Sequence, residues 1–137
     1  MSADPSATQL ACTKLMAASY RIVDDGQAAA VTELFTEDGR FTVEGNIDVQ
    51  GQASLSEMFA ARQADTERRT LHCLSNLTVA QLTDDEAQLR ATLTLYHLNG
   101  ANPTIPSILA NVEDVHRLID GQWRIASRTT RVLASSG

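Results

Sequence analysis

The chain of 137 residues is long enough for one domain with a single apolar core, and we expect residues 1–137 to form that domain. The formal net charge is −6 and the basic residues are scattered, adjacent only at Arg68–Arg69, which argues against nucleic acid or an anionic membrane surface as a partner. No apolar run is long enough to span a membrane, and the N-terminus lacks a secretory pattern. The sequence therefore predicts a cytoplasmic protein.

The first half of the chain has the pattern of three helices. Asp4–Pro5 is a typical helix start, and an apolar face continues from there to a stop at residues 24–26. A second helix is predicted over residues 27–35, with a stop at 37–39. A third is predicted to open at a capping box over residues 54–57. The face of this third helix would carry Leu55, Met58, Phe59 and Arg62.

The remaining segments have the pattern of strands. A short pair is predicted at 40–43 and 47–49, and a first long hairpin at 71–82 and 87–98. A second hairpin, 107–119 and 122–133, surrounds Asp120–Gly121, a strong hairpin signal. This element order predicts an α+β fold. We expect three helices on the concave side of a cone-shaped, curved antiparallel sheet, enclosing a pocket that suits a small molecule.

The first hairpin brings two of the three histidines together. With a symmetric turn at residues 83–86, His72 lies directly opposite His97 on a mostly apolar face that also carries Leu95 and Asn76. Two opposed imidazoles need polar partners or the rim of a polar pocket. The pair is therefore the leading candidate site.

Pairing residues symmetrically about the turn also predicts the contacts of the second hairpin. It pairs His116 with Ile125 and Leu118 with Trp123 on the apolar face, and Glu113 with Arg128 on the other face. We interpret His116 as a core or rim residue, and a second site formed with Asp114 is the alternative.

An acid–base role for one imidazole requires a carboxylate that fixes its tautomer. Asp24 and Asp25, at the end of the first helix, are the candidates, although both also suit a turn before Gly26. Two histidines and one aspartate could alternatively form a metal site, but no metal-binding spacing is present. The sequence has no phosphate-binding or dinucleotide motif, so we expect neither a metal nor a cofactor.

Several segments together resemble a known family. They are Asp24 followed by Leu34–Phe35, Thr70–His72, Asp84–Glu86 with Tyr96–His97, and residues 119–125. From about Gln9 to Leu133 the chain resembles the SnoaL-like, scytalone dehydratase-like branch of the nuclear transport factor 2-like superfamily, whose fold is a cone-shaped α+β domain. The resemblance implies that His72 and His97 are the active-site histidines and that Asp24 supports His72.

The chain departs from scytalone dehydratase in the residues that orient the substrate. The positions of two tyrosines fall on Val23 and Val43, and those of a serine and an asparagine fall on Ala110 and Val112. The resemblance therefore implies an altered pocket shell. The predicted substrate-binding residues are Tyr20, Asn76, Val43, Val112 and Leu95, and the candidates to stabilise an oxyanion are Tyr20 and Asn76.

These observations favour a cofactor-independent lyase or isomerase that acts on a small hydrophobic cyclic ketone or polyketide-like compound. His72, oriented by Asp24, would remove a proton next to the carbonyl, and His97 would supply one. The alternative is a non-catalytic ligand-binding or dimerisation module of the same fold. We also expect a homodimer through the outer face of the first hairpin. That face would carry Cys73, Leu77, Thr92, Thr94 and Tyr96.

Overall fold

A computed structural model of the protein describes residues 4–136. The helical elements are α1 (Pro5–Asp24), a 3₁₀ helix (Ala28–Leu34) and α2 (Gln52–Ala64). The strands are β1 (Phe35–Val43), β2 (Ile47–Gln50), β3 (Thr70–Thr83), β4 (Glu86–His97), β5 (Ile108–Ile119) and β6 (Gln122–Ser135). The predicted α+β class with three helices is confirmed.

The six strands form one sheet in the order β2-β1-β6-β5-β4-β3. Neighbouring strands are antiparallel except β1 and β6, which run parallel. The predicted antiparallel sheet is therefore a mixed one. Parallel neighbours need a long crossover connection, and here α2 and the first hairpin lie between the two strands in the chain.

The helix starts show where local sequence signals hold and where they fail. The Asp4 side chain accepts a hydrogen bond from the Ser6 N–H at 3.0 Å, which confirms the predicted start of α1. The second helix is a single 3₁₀ segment, and β1 follows directly, so residues 37–39 lie in a strand. The predicted capping box is wrong, because α2 already begins after Gly51, whose φ of 90° turns the chain there.

The second hairpin has the predicted turn but an irregular body. Asp120 and Gly121 have φ of 51° and 79°, as a two-residue type I′ turn requires, and His116 pairs with Ile125 as predicted. Beyond that pair one residue of β6, at position 126, is left unpaired. The register therefore shifts, and Arg128 lies opposite Asp114 instead of Glu113. This bulge turns Arg128 towards the helices.

The first hairpin contains two such irregularities, near residues 75–78 and 81–83. Together they shift the register by two residues, so His72 lies opposite Leu95 and His97 lies opposite Thr70. The predicted direct pairing of His72 and His97 is wrong. A shift of two preserves the alternation of faces, so both histidines still lie on the same face, as diagonal neighbours.

The helices all pack on one face of the sheet, where two apolar clusters form. In the first, Cys12, Met16 and Tyr20 of α1 pack against the middle of β4 and β5. The second joins the 3₁₀ helix, α2, β1 and β6. Its buried members are Val31, Phe35, Leu55, Phe59 and Ile125. Within residues 4–136, no helix has both the length and the apolar character needed to cross a membrane.

Candidate active site

A cavity of about 280 Å³ lies between the helices and the inner face of the sheet. Apolar side chains from nearly every element form most of its wall. They are Val23, Val31, Phe41, Val43, Ile47, Met58, Phe59, Leu93, Leu95, Ile108 and Val132. The polar side chains of the wall are fewer. They are Ser19, Tyr20, Asn46, Arg62, Arg68, His72, Arg128 and Thr130. The cavity can therefore hold an apolar molecule while offering it a small number of polar contacts.

His72 lines this cavity and forms a hydrogen-bonded dyad with Asp24, which is not itself a lining residue. Asp24 is the last residue of α1 and His72 lies near the start of β3. The carboxylate Oδ1 lies 2.6 Å from Nδ1 of His72, and Oδ2 accepts the backbone N–H of the same residue at 2.7 Å. Both side chains are largely buried, with 11% and 14% of their surface exposed. Asp25 is exposed, so the structure favours Asp24 as the partner of the imidazole.

The Asp24 carboxylate is held in its charged form. Burial on its own raises the pKa of Asp24, but the hydrogen bonds from His72 and from the Thr70 hydroxyl, at 2.9 Å, outweigh it and leave the pKa below its usual value. A charged carboxylate next to Nδ1 favours the tautomer with its proton on that nitrogen. The other ring nitrogen, Nε2, is then free to accept a proton.

Tyr20 lies beside this imidazole and also lines the cavity. The centres of the two rings are 5.1 Å apart. Burial raises the pKa of Tyr20 to about 12, although the nearby Arg128 charge acts in the opposite direction and Asp114 adds to the rise. Tyr20 therefore remains a neutral phenol at ordinary pH and can donate a hydrogen bond into the cavity.

A buried ion pair between Arg128 and Asp114 lies against the Tyr20 ring. Arg128 lies over the Tyr20 ring, with Cζ 4.3 Å from the ring centre, and its Nε and Nη2 donate to the two oxygens of Asp114 at 2.7 and 2.8 Å. Nη2 also donates to the Ser19 hydroxyl at 2.8 Å, and His116 Nε2 lies 2.9 Å from Asp114. Asp114 and His116, considered above as a second site, have no exposed surface. They hold Arg128 in place and do not face the cavity.

The charges of this pair stabilise each other. Burial raises the pKa of Asp114, but the Arg128 guanidinium outweighs it, so the pKa lies below its usual value. Burial lowers the pKa of Arg128, and the Asp114 carboxylate more than compensates, so the pKa is raised. Both groups are therefore ionised inside the protein.

The structure places three of the five predicted substrate-binding residues, Tyr20, Val43 and Leu95, on the cavity wall. Asn76 is exposed, with a φ of 52° at the irregularity in β3, and its amide donates to the Thr92 hydroxyl at 3.4 Å. Val112 is buried in the core below α1. Neither residue lines the cavity, because a bulge moves Asn76 and the packing of α1 covers Val112, so their contacts with a substrate stay a prediction.

His97 is also not among the residues that line the cavity, although it is a diagonal neighbour of His72. It follows Leu95 by two positions towards the end of the sheet, and its Nε2 is buried without a hydrogen-bond partner in the part of the chain that the structure describes. Its catalytic role stays a prediction.

Three arginines of the wall were absent from the predicted site. Arg62 could have been included, since it shares a helical face with Met58 and Phe59 at the spacing noted in the sequence. Arg68 belongs to the one pair of adjacent basic residues. No sequence signal points to Arg128, because the bulge in β6 decides its direction.

The two histidines and Asp24 do not form the alternative metal site. Across residues 4–136 the structure shows no group of three or more His, Cys, Asp or Glu side chains arranged to hold a metal ion.

The SnoaL-like domain family matches residues 5–129 of the chain. No curated protein matches it. Several solved structures share the fold. An NTF2-like protein with a cystatin-like fold from Novosphingobium aromaticivorans is 22% identical, with a TM-score of 0.80 over 94% of this chain and 84% of that one.

Two further structural neighbours share the fold, and the name of the first suggests an activity. A scytalone dehydratase-like protein from Novosphingobium aromaticivorans is 19% identical, with a TM-score of 0.82 over 95% of this chain and 87% of that one. ActVI-ORFA from Streptomyces coelicolor is 16% identical, with a TM-score of 0.76 over 92% and 98% of the two chains. At these identities the likeness establishes the shared fold.

Proposed function

This chain belongs to the SnoaL-like domain family, and we propose that it is a cofactor-independent acid–base lyase or isomerase for a small hydrophobic cyclic ketone or polyketide-like compound. The observation that carries this proposal is the Asp24–His72 dyad, which has 2.6 Å between carboxylate and imidazole and whose His72 lines an apolar cavity. Proton abstraction next to a carbonyl needs such a base, and the apolar wall suits the carbon skeleton. The scytalone dehydratase-like neighbour supports a dehydration.

In the proposed reaction His72 Nε2 removes a proton from the carbon next to the substrate carbonyl. The C–H electron pair forms the enolate, and the proton makes the imidazole a cation that Asp24 stabilises. In a dehydration the imidazolium then protonates the hydroxyl that departs from the next carbon, and water is released as the double bond forms. In an isomerisation the same proton returns to a different carbon.

The enolate oxygen needs a hydrogen-bond donor, and we assign that role to Tyr20. It lines the cavity next to His72, and its raised pKa keeps the phenol protonated. Arg128 contributes positive charge beneath the phenol at 4.3 Å. Donors that face the developing oxyanion typically contribute about 10²- to 10³-fold to the rate. The exposed position of Asn76 leaves Tyr20 as the stronger of the two predicted donors.

The proposal can be tested before the substrate is known, by following proton abstraction itself. A panel of cyclic ketones, cyclic enones and β-hydroxyketones is incubated with the protein in D₂O, and loss of the signal of the proton next to the carbonyl is measured by NMR. We expect the wild-type protein to catalyse exchange for at least one compound. His72→Ala should abolish it, and Asp24→Asn should lower the rate by about 10⁴-fold, since it favours the wrong tautomer.

Asp25→Asn is the matched control, because it removes the adjacent but exposed carboxylate. It should leave exchange unchanged. Equal exchange by the wild type and His72→Ala would refute the assignment of the base. Saturable binding of panel members without any exchange would favour the alternative, a ligand-binding module of the same fold.

We also propose that the protein is a homodimer that uses the outer face of the sheet. The described helices lie on the inner face, and outward-facing Leu71 and Leu109 are 43% and 41% exposed. Leu77, predicted on the outer face, packs against the inner core because of the irregularity in β3. Light scattering at micromolar concentration should show a dimer for the wild type and a monomer for Leu71→Lys/Leu109→Lys. A wild-type monomer would contradict the proposal.

The cytoplasmic location stays a prediction.

A further inference from the structure

The cavity wall carries positive charge in a protein that is negative overall. The chain has a formal net charge of −6, yet the wall contains three arginines and no aspartate or glutamate among residues 4–136. The Arg128 guanidinium already has an anionic partner, because it donates two hydrogen bonds to Asp114. Arg62 and Arg68 are different, because neither forms an ion pair with a carboxylate of the described residues.

Arg62 is directed into the cavity by the helix that carries it. It shares the cavity face of α2 with Met58 and Phe59, one helical turn earlier. Its Nη2 donates to the Thr70 hydroxyl at 3.1 Å, and that hydroxyl donates to Asp24 at 2.9 Å. The guanidinium is thereby fixed next to the dyad. Its Nη1 also donates to the Asp65 carbonyl at a long 3.5 Å, and the remaining N–H groups are available for a ligand.

Arg68 lies on the loop between α2 and β3 and is exposed, so it marks the side of the cavity that opens to solvent. The two guanidinium groups are close enough to affect each other. The pKa of Arg62 is lowered, first by burial and then by the positive charge of Arg68, and Asp65 and Asp24 offset only part of this. The repulsion between these two positive charges is reduced when an anion binds between them.

From this arrangement we infer that the ligand of the cavity is an amphiphilic acid, whose apolar body fills the cavity while its carboxylate binds Arg62 and Arg68 at the open side. A guanidinium presents parallel N–H groups that match the two oxygens of a carboxylate, and such charge-assisted hydrogen bonds are strong. The inference rests on the proposed function only in placing the substrate in this cavity. It adds that the carbonyl compound carries an acid group.

The test uses a pair of probes that differ in charge and hardly in shape. Binding of naphthalene-2-acetate and naphthalene-2-acetamide is measured by isothermal titration calorimetry at pH 7.5, in low salt and in 0.5 M NaCl. We expect the acid to bind at least about tenfold more tightly than the amide in low salt. The preference should shrink in high salt, because part of the site is exposed and is screened.

The variant Arg62→Gln/Arg68→Gln should bind both probes equally, with the affinity for the amide unchanged. The matched control is Arg90→Gln/Arg117→Gln, which makes the same change in net charge at two exposed positions outside the cavity wall. It should keep the preference for the acid. Circular dichroism and thermal unfolding establish that both double variants are folded.

Three results would overturn the inference: equal wild-type affinity for the two probes, a preference that survives in Arg62→Gln/Arg68→Gln, or no saturable binding of either probe up to its solubility. The assay involves no turnover, so its outcome is separate from that of the proposed function. His72→Ala should keep the charge preference while losing proton exchange. Preference for the acid without any proton exchange would refute the proposed enzymatic activity and support the inference that the cavity binds an acid.

Discussion

The buried pair of Asp114 and Arg128 should be the most strongly coupled pair of side chains in the described part of the molecule. The perturbation that measures this coupling is a double-mutant cycle with Arg128→Met, Asp114→Leu and the combination of both. Each replacement has a similar length or volume and no charge. Each single variant therefore leaves one buried charge without its partner.

The structure sets the expected size of the effect. Asp114 has no exposed surface and Arg128 is 2% exposed, so water cannot solvate the charge that remains. Breaking a buried pair from one side costs about 3–5 kcal/mol, whereas replacing both partners by apolar groups is often close to neutral. Here the double variant also deprives His116 of its partner, which adds about 1–3 kcal/mol, whereas Ser19 keeps its hydrogen bond to the Met16 carbonyl. Even with this cost, the double variant should be more stable than either single variant.

The free energy of unfolding is measured by urea denaturation, with the midpoint and slope fitted for each variant. Arg90→Met is the matched control, since Arg90 and Glu113 form an exposed pair with 3.9 Å between Nε and Oε2. It should change stability by less than about 1 kcal/mol. Additive losses in the Asp114–Arg128 cycle, or a loss below about 1 kcal/mol for Arg128→Met, would refute this account of the pair.

Three further predictions concern single ionisable groups. The pKa of Asp24 is lowered in the folded state, so its hydrogen bonds stabilise the fold at pH values above the unfolded-state pKa. This contribution is lost as the pH falls through the folded-state pKa. In urea denaturation, stability should therefore decline less steeply below about pH 4 in Asp24→Asn than in the wild type. Burial raises the pKa of Cys12 to about 11, with Asp114 adding to the rise, so Ellman's reagent at pH 8 should modify exposed Cys73 alone until the protein is unfolded. Because the pKa of Tyr20 is about 12, the wild type and Tyr20→Phe should show the same phenolate absorbance at 295 nm below pH 11. A smaller rise in this absorbance in the variant would contradict the burial of Tyr20.

The features that local sequence signals predicted correctly are those that depend on few residues. Asp120–Gly121 fixes its turn because both positions need a positive φ, which aspartate tolerates and glycine adopts freely. Asp4–Pro5 fixes the start of α1 in a similar way. The contact between Asp24 and His72 was expected from the family resemblance, since residues 48 positions apart carry no local signal of their contact.

The predictions that failed depend on bulges, which no short pattern announces. One unpaired residue in β6 turns Arg128 from the outer to the inner face and replaces Glu113 with Asp114 as its partner. Two irregularities in β3 keep His72 and His97 on one face but separate their pairing. Side chains alternate between the two faces of the sheet within each regular stretch of a strand. After each bulge the alternation continues with inward and outward positions exchanged.

The Asp114–Arg128 pair also makes a prediction that joins stability to chemistry. Since replacing both partners by apolar groups should cost less stability than leaving either charge unpaired, stability alone does not require this pair. What apolar side chains cannot supply is positive charge 4.3 Å below the Tyr20 ring, next to the proposed position of the enolate oxygen. Arg128→Met/Asp114→Leu should therefore fold and yet exchange ketone protons about 10²- to 10³-fold more slowly than the wild type, as expected when a stabilising charge is removed from a developing oxyanion. The loss should appear in kcat, since the charge acts on the transition state. Undiminished exchange in this folded variant would limit Arg128 to a structural role and leave Tyr20 as the donor that acts alone.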